Sequence, residues 1–197
     1  METRIQPSFP LERLTDPENF LSLLHYFGLL SIRDVGVFSV NLFRVEQLLM
    51  AMANRGEWRP VFDFLGEAIM RQTGIRDYIS GEKVVQGFLA AYLSVTDYYV
   101  FRSEAELGKG FADIALEPQL AQYPHLRHAY LIELKYLKRT ESAIEAATAA
   151  AVEMATAQLE RYLADERLAR QFPGVRFIGL VVVFHGWEMV FCDAVRR

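Results

Sequence analysis

Cysteine, surplus positive charge and long apolar runs are what this chain has least of. Cys192 is its only cysteine, so an intrachain disulfide is impossible and nothing points to secretion. Lysine and arginine number 21 against 25 aspartates and glutamates, for a net charge of -4. A protein that grips DNA mainly by neutralising phosphates shows a basic surplus. Its absence argues against a general grip of that kind, though Arg127, Lys138, Arg139, Arg161, Arg167 and Arg170 offer a local basic rim. No apolar run reaches the roughly 20 residues that span a bilayer. No apolar segment stands behind Met1-Glu2-Thr3-Arg4, so no signal peptide is expected. The reading is a cytoplasmic protein with no membrane partner. A phosphate loop is missing too. Gly108-Lys109-Gly110 lacks the upstream glycine and the following Ser or Thr, and its glycines suit a tight strand connection. His25, His125, His128 and His185 have no metal-ligand spacing.

What remains is ordinary for a folded chain: 52% hydrophobic and 23% charged residues, with enough length for one core or one core plus a helical appendage. Asp16-Pro17 reads as a helix start, with Phe20, Leu23, Leu24 and Phe27 at helical spacing up to Gly28. Ser39-Val40-Asn41 opens a second helix that stops at Asn54-Arg55-Gly56. A third runs from Trp58 to Met70. Residues 1–77 therefore read as a mostly helical N-terminal appendage, and residues 78–197 as a separate α/β domain. That domain begins with a helix at Ser80-Gly81-Glu82. Strands follow at Asp97–Ser103, Phe111–Glu117 and His128–Tyr136. A long alanine-rich helix over Glu141–Arg170 contains no glycine or proline, and its Ala146–Ala151 run reads as a compact packing face. Val175–His185 and Trp187–Asp193 close the chain as a hairpin. Cys192 and the Tyr98, Tyr99 and Phe101 set read as packing residues.

Three charges stand inside these apolar strands. Asp113 lies in the second, and Glu133 and Lys135 lie in the third. Ionised groups lose water on burial and need partners. Side chains of a strand repeat every two residues, so Glu133 and Lys135 share a face. If the two strands pair, Asp113 joins them. Two carboxylates and an ammonium would then meet at a sheet edge, where a divalent ion could sit between the acids and the lysine could meet a water. The competing reading of the same residues is a structural ion pair.

The order of these residues resembles the PD-(D/E)XK nuclease superfamily, whose signature is an acid on one strand and acid-any-lysine on the next. The stretch Ser103-Glu104-Ala105-Glu106-Leu107-Gly108-Lys109-Gly110-Phe111-Ala112-Asp113 resembles a run in domains of this superfamily found at the C-terminus of AAA-ATPase-like bacterial proteins. Ile132-Glu133-Leu134-Lys135-Tyr136 matches their second motif, and Gln158-Leu159-Glu160-Arg161-Tyr162 their later helix motif. Leu24–Ile32 resembles the segment linking the two modules. Phe111 departs from the pattern, because that group commonly carries an arginine there. The departure bears on a phosphate or carboxylate contact, not on the metal site.

The resemblance implies a restriction-endonuclease-like core and metal-dependent phosphodiester hydrolysis of nucleic acid, with DNA the expected substrate. Mg²⁺ or Mn²⁺ would be held by Asp113, Glu133 and the Leu134 carbonyl, with Glu82 or Glu104 as the outer carboxylate. Lys135 would orient or deprotonate the attacking water. Gln158 and Tyr162, four apart on one helix face, would steady Lys135, the water or the phosphate. An AAA-type ATPase and a second copy of the chain are the protein partners considered. The alternative is a non-catalytic nucleic-acid-binding or regulatory domain on the same fold, working with a partner ATPase.

Overall fold

The computed structural model describes residues 31–33, 37–39, 42–71, 81–107 and 110–195. Strands β1 (Ser31–Arg33) and β2 (Val37–Ser39) form a short antiparallel ribbon. Helices α1 (Leu42–Arg55), α2 (Arg59–Arg71) and α3 (Glu82–Leu93) follow, then strands β3 (Tyr99–Leu107), β4 (Gly110–Pro118) and β5 (His128–Leu137). Helices α4 (Ile144–Leu163) and α5 (Glu166–Gln171) lead to β6 (Arg176–His185) and β7 (Glu188–Ala194).

The last five strands make one sheet in the order β3-β4-β5-β6-β7. Only β5 and β6 run parallel, as a strand–helix–strand crossover requires. From α3 onward the order is helix, three strands, helices and a hairpin, as the sequence pattern predicts.

Both sheet faces are covered. On one face, Val45 and Leu49 of α1, Phe62 and Leu65 of α2 and Phe88 and Leu89 of α3 pack with Ile114, Tyr130, Ile132, Leu134, Val182 and Phe184. On the other, Ala151, Ala155, Leu159 and Tyr162 of α4 pack with Ala112, Ala115, Leu131, Val181 and Val183. Helices α1 and α2 thus share a core with the sheet. Side chains of β5 also reach carbonyls in the last turn of α1. Tyr130 OH donates to Met52 O at 2.8 Å, and His128 Nδ1 lies 3.4 Å from Ala53 O. Gly56, at φ 73, ends the helix in the left-handed conformation suited to glycine.

Four details differ from the sequence expectation. Ser39 belongs to β2 and the helix starts at Leu42. Strand β3 runs on to Leu107 through Arg102, Ser103, Glu104 and Glu106. Such a polar stretch is tolerated because β3 is an edge strand with exposed side chains. The long helix is two helices: Asp165 Oδ1 accepts from Arg167 N at 3.0 Å and caps α5, so an aspartate that offers the backbone a competing bond ends the first helix without help from glycine or proline. The alanine run 146–151 is not the packing face expected of it, since of these residues only Ala151 is buried. The expected helix over 16–28 lies outside the described residues. Cys192 is buried, and burial pushes its thiol up to about 12. Among the described residues no helix is long and apolar enough to cross a membrane.

Candidate active site

Strands β4 and β5 pair through Leu116↔Tyr130, Ala115↔Leu131 and Ile114↔Ile132. Continuing that register would put Asp113 opposite Glu133, and there the ladder stops. A side chain replaces it: Leu134 N–H donates to Asp113 Oδ2 at 2.8 Å. The strands part, and a carboxylate occupies the opening. The other edge of β4 is irregular at the same point. Ser103↔Ile114 and Ala105↔Ala112 are paired, but Glu104 and Asp113 between them are not. Glu104 has φ 51, left-handed backbone that a residue with a Cβ seldom adopts. Ala112 packs with α4 whereas Ile114 packs with α1–α3, so two-residue alternation breaks at Asp113. Gln86 Nε2 on α3 holds this bend by donating to Asp113 O at 3.0 Å.

Glu133 and Lys135 continue the alternation of Leu131, which faces α4. Glu133 is fully buried, and Lys135 Nζ donates to its Oε2 at 2.9 Å. The same Nζ lies 3.7 Å from Asp113 Oδ2. The second oxygen, Glu133 Oε1, is buried and has no hydrogen-bond partner among the described residues. Burial pushes the Glu133 carboxyl up to about 7; the Lys135 hydrogen bond opposes this, and the Asp113 charge adds to it. For Lys135, burial works against the ammonium. The Glu133 hydrogen bond and the charges of Glu133, Asp113 and Glu82 outweigh it, and the net direction is up. A strand residue turns its N–H and C=O toward the same neighbour, so the Leu134 carbonyl faces the opening that holds Asp113.

The remaining residues singled out by sequence lie around this cluster. Glu82, exposed in the first turn of α3, acts on Lys135 through its charge. Glu104 is exposed and pairs with Lys83 Nζ at 2.5 Å. Tyr162 is buried, and its hydroxyl donates to Phe111 O at 3.0 Å, a strand position near Asp113 rather than Lys135 itself. Gln158, one turn earlier on α4, is half-buried. Among the described residues no group of three or more His, Cys, Asp or Glu side chains converges; the acids that meet are Asp113 and Glu133. Two contributors escaped the sequence reading, Gln86 and Lys83. Gln86 stands four residues after Glu82, on the same helix face, and that spacing was the available signal.

Tyr162→Phe keeps the ring and deletes one hydrogen bond. It is expected to cost about 1 kcal/mol of stability, measured as a lower urea midpoint at unchanged slope. An unaltered midpoint would show that the bond to Phe111 contributes nothing.

A family model described as the PD-(D/E)XK nuclease superfamily matches residues 80–194. Comparison with curated proteins and with solved structures gives no match. The matched span runs from just before α3 to the end of β7, and its mixed five-stranded sheet with flanking helices is consistent with a restriction-endonuclease-like fold.

Proposed function

The chain belongs to the PD-(D/E)XK nuclease superfamily, and from that premise we propose that it hydrolyses phosphodiester bonds in nucleic acid, DNA above all, at the Asp113–Glu133–Lys135 cluster. The observation that carries the reading is the orphaned Glu133 Oε1 beside a second carboxylate. A buried structural ion pair keeps its place when its lone pairs are satisfied. Here one buried carboxylate oxygen is left over, and it suits a cation. The donor set also selects which cation. Mg²⁺ is commonly held by one or two carboxylates plus waters and substrate phosphates, whereas Zn²⁺ draws on nitrogen and sulfur ligands. Asp113, Glu133 and the Leu134 carbonyl would hold Mg²⁺ or Mn²⁺. When bound, such an ion supplies polarisation of a phosphoryl oxygen and a lowered pKa for water.

The chain's own residues do the rest. Asp113 keeps β4 and β5 apart through Leu134 N–H, so the opening is built into the backbone. Lys135 is held charged beside the two acids. As an ammonium it orients the attacking water and stabilises the charge that grows on the phosphate. That role needs no proton abstraction by Lys135. Tyr162 braces β4 through Phe111 O, and Gln158 on the same helix face is assigned to steady Lys135 or the phosphate. Glu82, whose charge already acts on Lys135, is the preferred outer carboxylate over Glu104, which Lys83 engages. The one such cluster among the described residues serves one strand, so a homodimer is the proposed state for cutting both. Partnership with an AAA-type ATPase and a cytoplasmic setting complete the proposal, on the motif resemblance and the lone cysteine.

Calorimetric titration with Mn²⁺ tests the site. Wild type is expected to bind, and Asp113→Ala to lose the heat of binding. No heat from wild type would remove the metal-dependent reading. Binding of nucleic acid without Mn²⁺-dependent cutting would turn the assignment to the non-catalytic alternative.

A further inference from the structure

We propose that Lys83 is a phosphate-binding residue at the edge of the site, and that Glu104 holds it in reserve until nucleic acid arrives. The inference rests on the nucleic-acid reading above and adds a binding residue that the strand and helix motifs do not include. Three observations put Lys83 beside Asp113. It stands three residues before Gln86 on α3, on the same helix face, and Gln86 Nε2 donates to Asp113 O at 3.0 Å. Its own ammonium donates to Glu104 Oε1 at 2.5 Å. Glu104 lies opposite Asp113, at the step that the β3–β4 ladder skips between Ser103↔Ile114 and Ala105↔Ala112. The Glu104 hydrogen bond and charge, followed by the charges of Glu82 and Asp113, hold Lys83 in its ammonium form. Two side chains of α3 therefore reach the two residues of that unpaired step, one each.

An exposed ion pair by itself says little, but this one is built on unusual backbone. Among the described residues Glu104 is the one non-glycine with positive φ, at 51. Such strain gathers at binding and switch segments, and here it presents a carboxylate to Lys83. The two side chains stay 72% and 65% exposed, so water screens their attraction and the pair is weak. It opens easily to a stronger competitor. A nucleic-acid phosphate is one, because its exchange of a condensed counterion for an ammonium releases that counterion to solution. The site also needs such a cation. Lys135 Nζ is shared between Glu133 and Asp113, which leaves the acids in excess where a phosphate must approach. Lys83 supplies the next positive charge. Glu104 is thereby assigned to the lysine and not to the metal.

Fluorescence anisotropy with a labelled DNA duplex in EDTA tests the contact apart from cutting. Lys83→Met should bind about 8-fold more weakly than wild type at about 0.1 M salt, with the gap closing near 1 M, because one phosphate contact adds about 0.9 to the slope of log affinity against log salt. Lys83→Arg keeps the charge and should follow wild type. Glu104→Gln releases the lysine and should tighten binding several-fold, but not when combined with Lys83→Met. Lys83→Met should also keep the wild-type circular dichroism spectrum and Mn²⁺ heat. Loss of either with an unchanged salt slope would make Lys83 a structural residue and overturn the inference. Equal affinity and slope in wild type and Lys83→Met overturn it, as does an absence of duplex binding by wild type. Equal tightening by Glu104→Gln in both backgrounds would mean simple repulsion of phosphate and remove the reserve role. The two readings fail separately. If wild type and Lys83→Met bind and cut alike, the contact is refuted and hydrolysis stands. If Lys83→Met lowers the slope while no variant cuts with Mn²⁺, the contact stands and hydrolysis falls.

Discussion

Lys135→Ala is expected to lower metal-dependent cleavage by about 10²–10⁴-fold, the range associated with losing a positioned acid–base or charge-stabilising side chain. The geometry sets the reason. Lys135 Nζ lies 2.9 Å from Glu133 Oε2 and 3.7 Å from Asp113 Oδ2, so among the described residues it is the cation paired with both acids. Removing it deletes the donor that would face a water and a phosphate oxygen. It also leaves two carboxylates to repel each other in a partly buried opening, where water screens them poorly. The loss should fall on kcat more than on KM, because the interaction strengthens as charge develops in the transition state. Plasmid nicking with purified variants and matched circular dichroism spectra measures it. Wild-type cutting by the folded Lys135→Ala protein would mean that another group, or a contaminating nuclease, performs the reaction.

The second large effect is on stability and has a definite sign. Burial raises Glu133 to about 7 in the folded protein, from an ordinary value of 4.5. The folded state therefore favours the protonated form. That contribution is complete below about pH 4.5 and disappears as pH rises through about 7. With each pKa unit equal to 1.36 kcal/mol, this one group withdraws about 3 kcal/mol of stability between pH 4.5 and 8. Glu133→Gln cannot ionise and should lack that dependence. In EDTA its melting temperature should exceed that of wild type at pH 8 by several degrees, at about 2–4 °C per kcal/mol for a chain of this size. The difference should close near pH 5. Parallel pH profiles for the two proteins would show that Glu133 does not titrate in this window and that its charge is stabilised by something other than Lys135. The same substitution should abolish Mn²⁺ heat if Glu133 is a ligand, so one variant separates stability from function.

Much of the fold was legible because periodicity and turn chemistry are local signals. Strands β4 to β7 and helices α1 to α3 emerge close to their expected limits. The candidate cluster was legible for a different reason: Asp113, Glu133 and Lys135 break apolar strands, and a charge there needs a partner. The misread elements each turn on a contact that sequence does not display. Asp165 reads as one more helical residue until its side chain is seen taking Arg167 N–H. The part of β3 beyond Ser103 falls outside the expected strand until its place at the sheet edge is known. The alanine run reads as a packing face until the sheet is seen to meet α4 through Ala151, Ala155, Leu159 and Tyr162.

By itself, then, the amino-acid pattern determined the order of elements, the pairing of Glu133 with Lys135 on one strand face, and the acid awaiting them on a neighbouring strand. These follow from two-residue alternation and from the cost of an unpaired buried charge. Only tertiary structure decided that β4 and β5 part at Asp113, that Gln86 holds the bend, that Tyr162 braces Phe111, and that Glu133 keeps one buried oxygen without a hydrogen-bond partner among the described residues. Each depends on groups 21 to 51 residues apart in the chain or, for Glu133, on everything packed around it. Where a ladder opens is set by the packing of helices on both faces of the sheet, and no window of neighbouring residues records it.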